Sequence, residues 1–517
     1  RRPSSPSPRA PLPPPPTSSL PVVADPASDR FRAEHSTVTR LLATVVTDPS
    51  FESAAPSALV TELVAFAAHC CLDYAASLVV ESAFVCPPSV RAMDTEMASW
   101  KSTGTYVDEV PPPGANIVSG MWIFRVKRPP GSPPIFKAPY VARGFSQREG
   151  VDFFQTFSPT PKMTTLRVLL HVAGQRDYKL HSLEFSTAFL QGSLHEEIWL
   201  RRPPGFTGSF PPGTQWSLRR PVYGLRQALC EWHDTLRTTL AALGFAPSTA
   251  DPSLFLRTDT SLPPFYVLVY VGDLVFATAD TEALTLDRAH RTITLTQSHM
   301  EQQVLQRFGF TGSSSQATPL ATCHSLSAPP SDESVEPSGP YPELVGCLMY
   351  LMTCTRPDLA YPLGLLARYV APGRHRKVHM DAAKRVLRYL CSTSGMGLVL
   401  GGWGDVVLTG HSDASWVDDQ ATQRSSQGYT FSLGSGSVSW RSTRSSSVLG
   451  SSCEAEIYAT AMAAQELRWL TYLLTDLGER PRSPPVLYVD NKAAIALCQE
   501  HRLEHRTKHI ALCYFLA

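Results

Sequence analysis

Two apolar runs meet at a glycine–aspartate step in the stretch FYVLVYVGDLVFA, Phe265 to Ala277. Runs of β-branched and aromatic residues on both sides of a short polar step predict two strands joined by a tight turn. The turn would present the carboxylate of Asp273 at its tip, and hard oxygen ligands of this kind suit Mg²⁺. A Gly-Asp turn is also common as a purely structural element, so the neighbouring sequence has to decide between the two readings.

A second carboxylate stands at the end of a predicted strand upstream of this hairpin. In HSLEFSTAFLQG, His181 to Gly192, Glu184 ends an apolar strand that begins at Lys179. Apolar residues recur at helical spacing over residues 163–177 and predict a helix just before that strand. Farther upstream an alternating pattern starts at about Met93 and predicts strands at residues 106–110, 121–127 and 135–145.

The N-terminal part of the chain offers no chemistry of its own. Ten Pro between Pro3 and Pro26 predict that residues 1–30 are a disordered linker. Residues 31–91 carry apolar residues at helical spacing, which predicts a helical segment of unknown role.

The length and the amino-acid composition limit the kinds of protein that this chain can be. The chain has 517 residues, enough for two or three domains, and its net charge of +1 does not by itself indicate a nucleic-acid binder. Eleven Cys without metal-binding spacing are typical of reduced thiols inside a cell. We find neither a bilayer-length apolar stretch nor a secretory signal, which predicts a protein that is not secreted and has no membrane partner.

Four short motifs follow one another in a specific order. VARGFSQ (Val141 to Gln147) precedes FFQTFSP (Phe153 to Pro159), and LEFSTAFL (Leu183 to Leu190) precedes YVGD (Tyr270 to Asp273). They resemble the motifs V-A-K-G-F-x-Q, Y-x-E-T-F-S-P, L-D-V-x-x-A-F-L and Y-V-D-D of copia-type LTR retrotransposon Pol polyproteins. With further matches downstream, the resemblance extends from about residue 92 to residue 517, and it implies a reverse transcriptase followed by RNase H.

The resemblance implies an α/β and α+β multidomain chain. A right-hand polymerase fold of fingers, palm and thumb, with a connection, is expected over residues 92–405, and an RNase H-like α/β domain over residues 406–517. The pattern predicts an amphipathic helix over residues 379–390 in the connection. In the last domain it predicts strands at 406–411, 429–433 and 437–440, a helix at 452–477, a buried strand at 486–489 and a final helix.

The polymerase chemistry that the family implies uses two Mg²⁺, which activate the primer hydroxyl and stabilise the leaving pyrophosphate. Carried onto this chain, the three acid positions of the palm are Glu184, Gly272 and Asp273. Phe189 matches the residue that rejects a ribose 2′-hydroxyl, with a core phenylalanine as the alternative reading. Contacts to the deoxynucleoside triphosphate are implied for Lys137, Arg143 and Gln227.

A second set of acids is implied for RNase H. GHSDASW supplies Asp413, SSCEAEIYA supplies Glu456, and YVDNKAAIAL supplies Asp490. These three would hold two Mg²⁺, for which Mn²⁺ can substitute, and hydrolyse the RNA strand of a hybrid. Glu454 is interpreted instead as a charge at the helix N-terminus, favoured by the helix dipole. Ala511 occupies the place of a further expected acid.

Several departures from the family pattern predict that this copy is damaged. Gly272 offers no ligand, and Glu184 adds a methylene that moves its oxygens by roughly 1 Å, where sites demand placement within about 0.5 Å. Pro139 replaces an arginine that faces phosphate. A strand-rich segment expected after Asp273 is missing, which predicts an internal deletion near residues 287–291, and the final domain is interpreted as truncated.

The resulting hypothesis is an RNA-directed DNA polymerase with RNase H by descent, which acts in reverse transcription of the element's RNA and is impaired in polymerisation in this copy. Its partners would be an RNA template, a DNA primer, an RNA–DNA hybrid and deoxynucleoside triphosphates, with the element's integrase and capsid proteins as further candidates. The family implies cytoplasmic particles and then the nucleus. The competing hypothesis is a non-enzymatic nucleic-acid-binding remnant or a pseudogene product.

Overall fold

The structure is a computed structural model that describes residues 87–127, 133–185, 187–203, 211–279, 290–321, 326, 340–371, 373–419, 421–434, 436–480 and 483–500. The predicted linker over residues 1–30, nearly all of the predicted helical segment 31–91, most of the predicted deletion point and Ala511 lie outside these ranges.

The first described unit combines a helix with short strands. Its elements are α1 (Pro87–Ser102), β1 (Tyr106–Glu109), β2 (Ile117–Val118), β3 (Gly120–Trp122), β4 (Arg125–Lys127), β5 (Ile135–Lys137), β6 (Tyr140–Ala142), β8 (Ile198–Leu200) and β9 (Gln215–Leu218). One sheet has the order β1-β9-β8-β2, and β3–β6 and β4–β5 form separate pairs. The predicted alternation from Met93 is wrong as far as Ser102, because Met97 and Trp100 are buried on one face of a helix.

A five-stranded antiparallel sheet forms the central unit. Its elements are α2 (Met163–Arg176), β7 (Lys179–Glu184), α3 (Ala228–Ala242), β10 (Phe245–Pro247), β11 (Leu254–Arg257), β12 (Phe265–Tyr270) and β13 (Asp273–Thr278), with strand order β10-β11-β12-β13-β7. Side chains alternate between the faces. Val267 and Phe276 pack with α3, whereas Leu268 and Val275 pack with α2. The predicted hairpin and helix are therefore confirmed, and both faces of the hairpin are buried.

A helical connection follows the sheet. Its elements are β14 (Thr292–Thr296), α4 (Ser298–Arg307), α5 (Tyr341–Cys354), α6 (Ala360–Leu366), α7 (Lys377–Ser392) and β15 (Gly397–Gly401), and β14 pairs with β15. The amphipathic helix predicted over residues 379–390 is confirmed, with Val386, Leu387 and Leu390 fully buried. Arg356 is buried between Glu301 and Asp358, at 2.7 and 2.8 Å, and so joins the start of α4 to the turn after α5.

The last unit is a four-stranded sheet with a long helix. Its elements are β16 (Leu408–Asp419), β17 (Arg424–Leu433), β18 (Gly436–Arg444), α8 (Ser452–Asp476), β19 (Val486–Val489) and α9 (Lys492–Glu500), in the order β18-β17-β16-β19. β19 runs parallel to β16, and the other pairs are antiparallel. The predicted strand–helix order is confirmed, but the strand predicted as buried leaves Val486 44% and Tyr488 53% exposed, because it is the edge strand of the described sheet.

The central and last units share one apolar core. Leu169 and Leu170 of α2 belong to the same buried cluster as Phe431 of β17 and Leu473 and Leu474 of α8. Polar contacts cross the same boundary: the Tyr266 hydroxyl donates to the carbonyl of Leu477 at 2.7 Å, and the Trp469 indole donates to that of Ala250 at 2.8 Å. None of the described helices combines the length and the apolar character that a membrane crossing needs.

Arg167 of α2 is a buried cation at this boundary. Its guanidinium donates to the carbonyls of Val438 and Thr353 at 2.6 and 2.7 Å and lies 3.9 Å from the ring centre of Trp440. Burial lowers its pKa to about 10, so it stays charged at neutral pH. One side chain thereby ties the central sheet, the connection and the last unit together.

Arg167→Met is expected to lower the free energy of unfolding by about 2–5 kcal/mol, because it leaves buried carbonyl groups without donors. Urea denaturation followed by tryptophan fluorescence measures this change. Arg176→Met is the matched control, since the Arg176 side chain on the same helix is 47% exposed and its pair with Glu479 should contribute less than about 1 kcal/mol. Equal losses in the two variants would contradict the bridging role of Arg167.

Candidate active sites

Glu184 and Asp273 meet at one end of the central sheet. Asp273 is the first residue of β13 and lies opposite Tyr270 in β12 and opposite Glu184 in β7. Directly paired residues of neighbouring strands have Cβ atoms about 4.5–5.5 Å apart, on one face of the sheet. The sequence thus folds so that two carboxylates separated by many residues become neighbours.

The turn that carries Gly272 is tight and fixed from both sides. Val271 adopts a φ of 53°, and the Gly272 carbonyl accepts a hydrogen bond from the Phe185 amide at 2.8 Å. A Cβ on Gly272 would lie 3.0 Å from the Phe185 carbonyl oxygen and 3.2 Å from the Ala188 Cβ. A side chain at this position would therefore start right beside the end of β7, where Glu184 lies.

The predicted nucleotide contacts lie in different surroundings. Phe189 is half-buried in a short turn with its edge against the Tyr223 ring, whose centre is 4.8 Å away. Lys137 is exposed on β5, and Arg143 is half-buried just after β6. These positions leave all three side chains at least partly accessible.

Gln227 differs from the other predicted contacts because it is fully buried. Its amide nitrogen donates to the Asp152 carbonyl at 2.8 Å, and its amide oxygen accepts from the Gln147 side chain at 3.0 Å. A side chain without accessible surface cannot touch a nucleotide in this structure. The direct contact predicted for Gln227 is replaced by a positioning role, in which it holds Gln147 and Asp152, the residue directly before FFQTFSP, at the start of α3.

Three acids of the last unit converge. Ser412 of β16 pairs in register with Val489 of β19, so the next residues of these parallel strands, Asp413 and Asp490, lie side by side. Glu456 comes from the second turn of α8. Carboxylate oxygens of these three acids all lie within 4.8 Å of one another. The sequence motifs predicted these three acids, and the parallel pairing of β16 with β19 explains why Asp413 and Asp490 lie together.

The electrostatics of the cluster single out Glu456. Only 6% of this residue is exposed, whereas Asp413 and Asp490 are exposed. Burial, followed by the negative charges of Asp413 and Asp490, raises the pKa of Glu456 to about 7. Its Oε2 has no hydrogen-bond partner within the described part of the chain. A buried carboxylate oxygen aimed at two other acids fits a divalent cation, which would neutralise all three.

Glu454 has a different role from Glu456, as the sequence predicted. Its carboxylate accepts a hydrogen bond from the Gly450 amide at 2.7 Å, and its own amide donates to the Ser451 hydroxyl at 3.1 Å. These contacts cap the N-terminus of α8. They also fix the helix turn from which Glu456 projects.

Asn491 is a supporting residue that the sequence analysis did not identify. Its side-chain oxygen accepts from the Ala494 amide at 3.0 Å and caps α9 directly after Asp490. Asn before an apolar helical run is a recognised helix-start signal, so the Asp-Asn pair could have revealed it. The cap holds the backbone of Asp490 where β19 ends.

Comparison with known proteins assigns the part of the chain that contains Glu184 and Asp273 to a family. Residues 105–289, which include Glu184 and Asp273, match the family described as reverse transcriptase (RNA-dependent DNA polymerase). The chain is 37% identical over 433 residues to the retrovirus-related Pol polyprotein from transposon RE2 of Arabidopsis thaliana, covering 78% of this chain and 29% of that protein. The chain belongs to the copia-type retrotransposon Pol polyproteins. The predicted resemblance is thereby confirmed.

Other members of the Pol family match a similar stretch. The polyprotein from transposon RE1 of Arabidopsis thaliana is 35% identical, covering 82% of this chain and 30% of that protein. The one from transposon TNT 1-94 of Nicotiana tabacum is 32% identical, covering 82% and 34%. This Pol chain therefore spans about a third of the length of these relatives.

The Pol family membership confirms a reverse transcriptase domain and the mixed α/β fold class. Reverse transcriptases use divalent metal ions, and the described residues of this chain include a cluster of three acids, Asp413, Glu456 and Asp490, outside the matched residues 105–289. A solved structure of the foamy viral protease-reverse transcriptase dRH in complex with ds DNA superposes with a TM-score of 0.44 at 8% identity, covering 97% of this chain and 81% of that one.

Proposed function

We propose that this chain is an RNA-directed DNA polymerase with RNase H by descent, whose polymerase site is impaired and whose hydrolytic site keeps three acids, with Ala511 in the place of a further one. The observation that carries the proposal is the cluster of Asp413, Glu456 and Asp490, with carboxylate oxygens within 4.8 Å of one another. Three converging carboxylates supply the hard oxygen ligands that Mg²⁺ prefers, and two-metal hydrolysis of a nucleic-acid backbone depends on cations held in this way.

The acids of the hydrolytic site would have different roles, because two of them are exposed and one is buried. Bound Mg²⁺ would supply Lewis acidity and an activated water. Asp413 and Asp490, being exposed, would face the nucleic acid and hold the cations at the surface. Glu456 is buried and is fixed by the capped start of α8, so it would set the position of the cations from the protein interior. RNA–DNA hybrid is the substrate class that the family implies.

The polymerase site supports the impaired part of the proposal. Glu184 and Asp273 are paired in register, so two carboxylates are present, but Gly272 adds none. Glu184 is one methylene longer than the family's aspartate, and a misplacement of about 1 Å can cost about 100-fold in rate. Lys137, Arg143 and Phe189 remain the proposed contacts to an incoming deoxynucleoside triphosphate.

A hybrid-cleavage assay tests the proposal. We expect the chain to cleave the labelled RNA strand of an RNA–DNA hybrid in Mg²⁺, to leave the DNA strand intact, and to lose this activity in EDTA. Primer extension on the same hybrid should be barely detectable. The second candidate is a non-enzymatic nucleic-acid-binding remnant, which is favoured by the loss of an acid at Gly272. Binding of the hybrid at a stated salt concentration without any cleavage would support this candidate instead.

The pKa of Glu456 predicts how metal binding depends on pH. Cation binding requires the deprotonated carboxylate. With a pKa of about 7, ionised Glu456 increases about tenfold between pH 6 and 8. We therefore expect Mn²⁺ affinity at this site, measured by electron paramagnetic resonance, to rise by about tenfold over this range.

Glu456→Gln is the control for this prediction, and its Mn²⁺ affinity should be lower and independent of pH between 6 and 8. The stability of the metal-free fold changes with pH in the opposite direction to the metal affinity. The folded-state pKa of about 7 lies above the ordinary glutamate value of 4.5, so the metal-free fold loses stability as the pH rises from about 4.5 to about 7. Glu456→Gln should therefore unfold at a higher temperature than the parent chain at pH 8 without metal. A pH-independent affinity in the parent chain would contradict both statements.

The remaining partners follow from the family. RNA template and DNA primer would be the nucleic-acid partners, and the element's integrase and capsid proteins are candidates for association. Cytoplasmic particles and then the nucleus are the proposed places of action.

A further inference from the structure

Trp232 is a buried tryptophan of α3 that the proposed chemistry does not yet use. Only 1% of this residue is exposed. It belongs to the apolar cluster between α3 and the central sheet, together with Val269, Leu274 and Phe276. α3 also lies close to the chain after β7, because a Cβ on Gly192 would be 3.3 Å from the Trp232 amide nitrogen. The packing around the indole therefore fixes its position.

The polar edge of this indole is bound to the hairpin turn. Its N–H donates to the Val271 carbonyl at 2.5 Å. Val271 adopts a φ of 53°, and this backbone region is unfavourable for a β-branched side chain. Strained backbone of this kind persists only where the surrounding structure holds it in place. The hydrogen bond from Trp232 is such a constraint, and it acts two residues before Asp273.

The ring of the same indole reaches the end of the neighbouring strand. Its centre lies 5.2 Å from that of the Phe185 ring, in an edge-to-face arrangement. Phe185 directly follows Glu184, and its amide donates to the Gly272 carbonyl at 2.8 Å. One side chain thus contacts the ends of both strands that carry the polymerase acids.

Trp232 lies on the face of the sheet opposite to the two carboxylates. Leu274 and Phe276 of β13 pack with α3, and side chains alternate along a strand, so Asp273 belongs to the other face. Glu184 is paired with Asp273 and shares that face. The indole is therefore placed away from any cation that these acids hold. Its effect on them has to pass through the turn.

We propose that Trp232 is a positioning residue of the polymerase site, which holds the Val271–Gly272 turn in its strained conformation and so sets the relative placement of the Glu184 and Asp273 carboxylates. This inference rests on the proposed polymerase function of these acids. Catalytic groups need placement within about 0.5 Å, which requires that the residues around them are locked. The hydrogen bond and the ring contact lock the turn from the opposite face of the sheet.

Hydrogen exchange in the full chain, followed by mass spectrometry, tests the positioning role without requiring activity. Trp232→Phe keeps an aromatic ring at this position but removes the donor. We expect the amides of residues 183–185 and 271–273 to exchange about fivefold to tenfold faster, because the net contribution of one hydrogen bond is of that order. Unchanged exchange at these amides would overturn the proposal.

A second substitution separates positioning of the turn from a general loss of packing. Glycine adopts positive φ about as readily as negative φ, so Val271→Gly removes the strain that the indole bond has to hold. In the Trp232→Phe chain, Val271→Gly should bring exchange at residues 183–185 back to within about twofold of the parent chain. If Val271→Gly has no effect there, Trp232 acts through core packing alone and the positioning role is wrong.

Trp469→Phe is the matched control. The Trp469 indole also donates to a backbone carbonyl, that of Ala250 at 2.8 Å, but this bond lies at the boundary with the last unit. The variant should leave exchange at the hairpin turn unchanged. Equal acceleration in the Trp469→Phe and Trp232→Phe chains would contradict a specific role of Trp232.

Primer extension supplies the functional measurement. In a chain that carries Gly272→Asp and Glu184→Asp, adding Trp232→Phe should lower kcat by about 10- to 100-fold, because the acids are displaced. The KM for deoxynucleoside triphosphate should change little, because Lys137 and Arg143 stay in place. A raised KM with an unchanged kcat would argue against the proposal.

The outcomes also separate this proposal from the proposed function. Faster exchange at the turn in Trp232→Phe, in a chain that extends no primer in any of these forms, would overturn the polymerase assignment alone. Primer extension in a chain whose turn amides do not respond to Trp232→Phe would overturn the positioning role alone.

Discussion

Replacing Gly272 and Glu184 together by aspartate is expected to raise Mg²⁺-dependent primer extension by about 100-fold or more. Glu184 and Asp273 are already paired across β7 and β13, so the substitutions restore a missing ligand and shorten a misplaced one. The Gly272 Cβ would approach the Phe185 carbonyl oxygen to 3.0 Å, so the turn must yield by a few tenths of an ångström. Gly272 is not among the described residues with positive φ, and its backbone therefore accepts an aspartate.

Extension of a labelled primer on an RNA template, with incorporated nucleotides counted over time, measures the change. The matched control is Gly272→Asn with Glu184→Asp, which places a side chain of the same shape but without charge in the turn. This control also shortens the acid at position 184, so it can gain some activity over the parent chain, but it should stay well below the double aspartate variant because it lacks the charge at position 272. The double aspartate variant could bind primer–template and still extend it no faster than the control. In that case the altered acids are not the limiting defect, and the strand-rich segment predicted to be missing after Asp273 becomes the better explanation.

Asp413→Asn is expected to lower RNA hydrolysis by at least about 100-fold while leaving the fold intact. The substitution removes one of three converging carboxylates, and asparagine is a poorer ligand for Mg²⁺ than a charged oxygen. Because Asp413 is exposed and repels Glu456, its loss should not destabilise the chain. The initial rate of hybrid cleavage and the thermal unfolding temperature measure the two effects.

Glu454→Gln is the control on the same helix. This substitution keeps an oxygen that can accept from the Gly450 amide, and Glu454 caps α8 without joining the cluster. Hydrolysis should therefore stay within severalfold of the parent rate. An Asp413→Asn variant that cleaves hybrid at the parent rate would remove this acid from the hydrolytic site.

The regular elements could be predicted from sequence where burial repeats with a clear period. The hairpin around Gly272 was predictable because residues of β12 and β13 are apolar on both faces, and both faces are covered. Helix α1 was missed because its apolar residues, such as Met97 and Trp100, are few and lie among polar ones. The exposure of β19 could not be predicted, because an apolar tetrad does not reveal whether its strand lies at the sheet edge.

The acids of both sites could be predicted because each lies within a recognisable motif. Their grouping depends on pairing between distant strands, and the motif context supplied that information. The burial of the Gln427 side chain could not be foreseen, because it depends on how α8 packs against the last sheet. The same limit explains Gln227, whose burial depends on contacts with Gln147 and Asp152 from a distant loop.

The core shared by the central and last units has a consequence for synthesis. Arg176 and Glu479, which pair across this boundary, lie 303 positions apart in the chain. At roughly 5–20 residues per second, a ribosome needs about 15–60 s between them. During that time the apolar face of α2 has no partner from α8, so a nascent chain is open to aggregation or chaperone capture. A fragment that stops before residue 406 would keep this face exposed permanently and should be recovered mainly as aggregate.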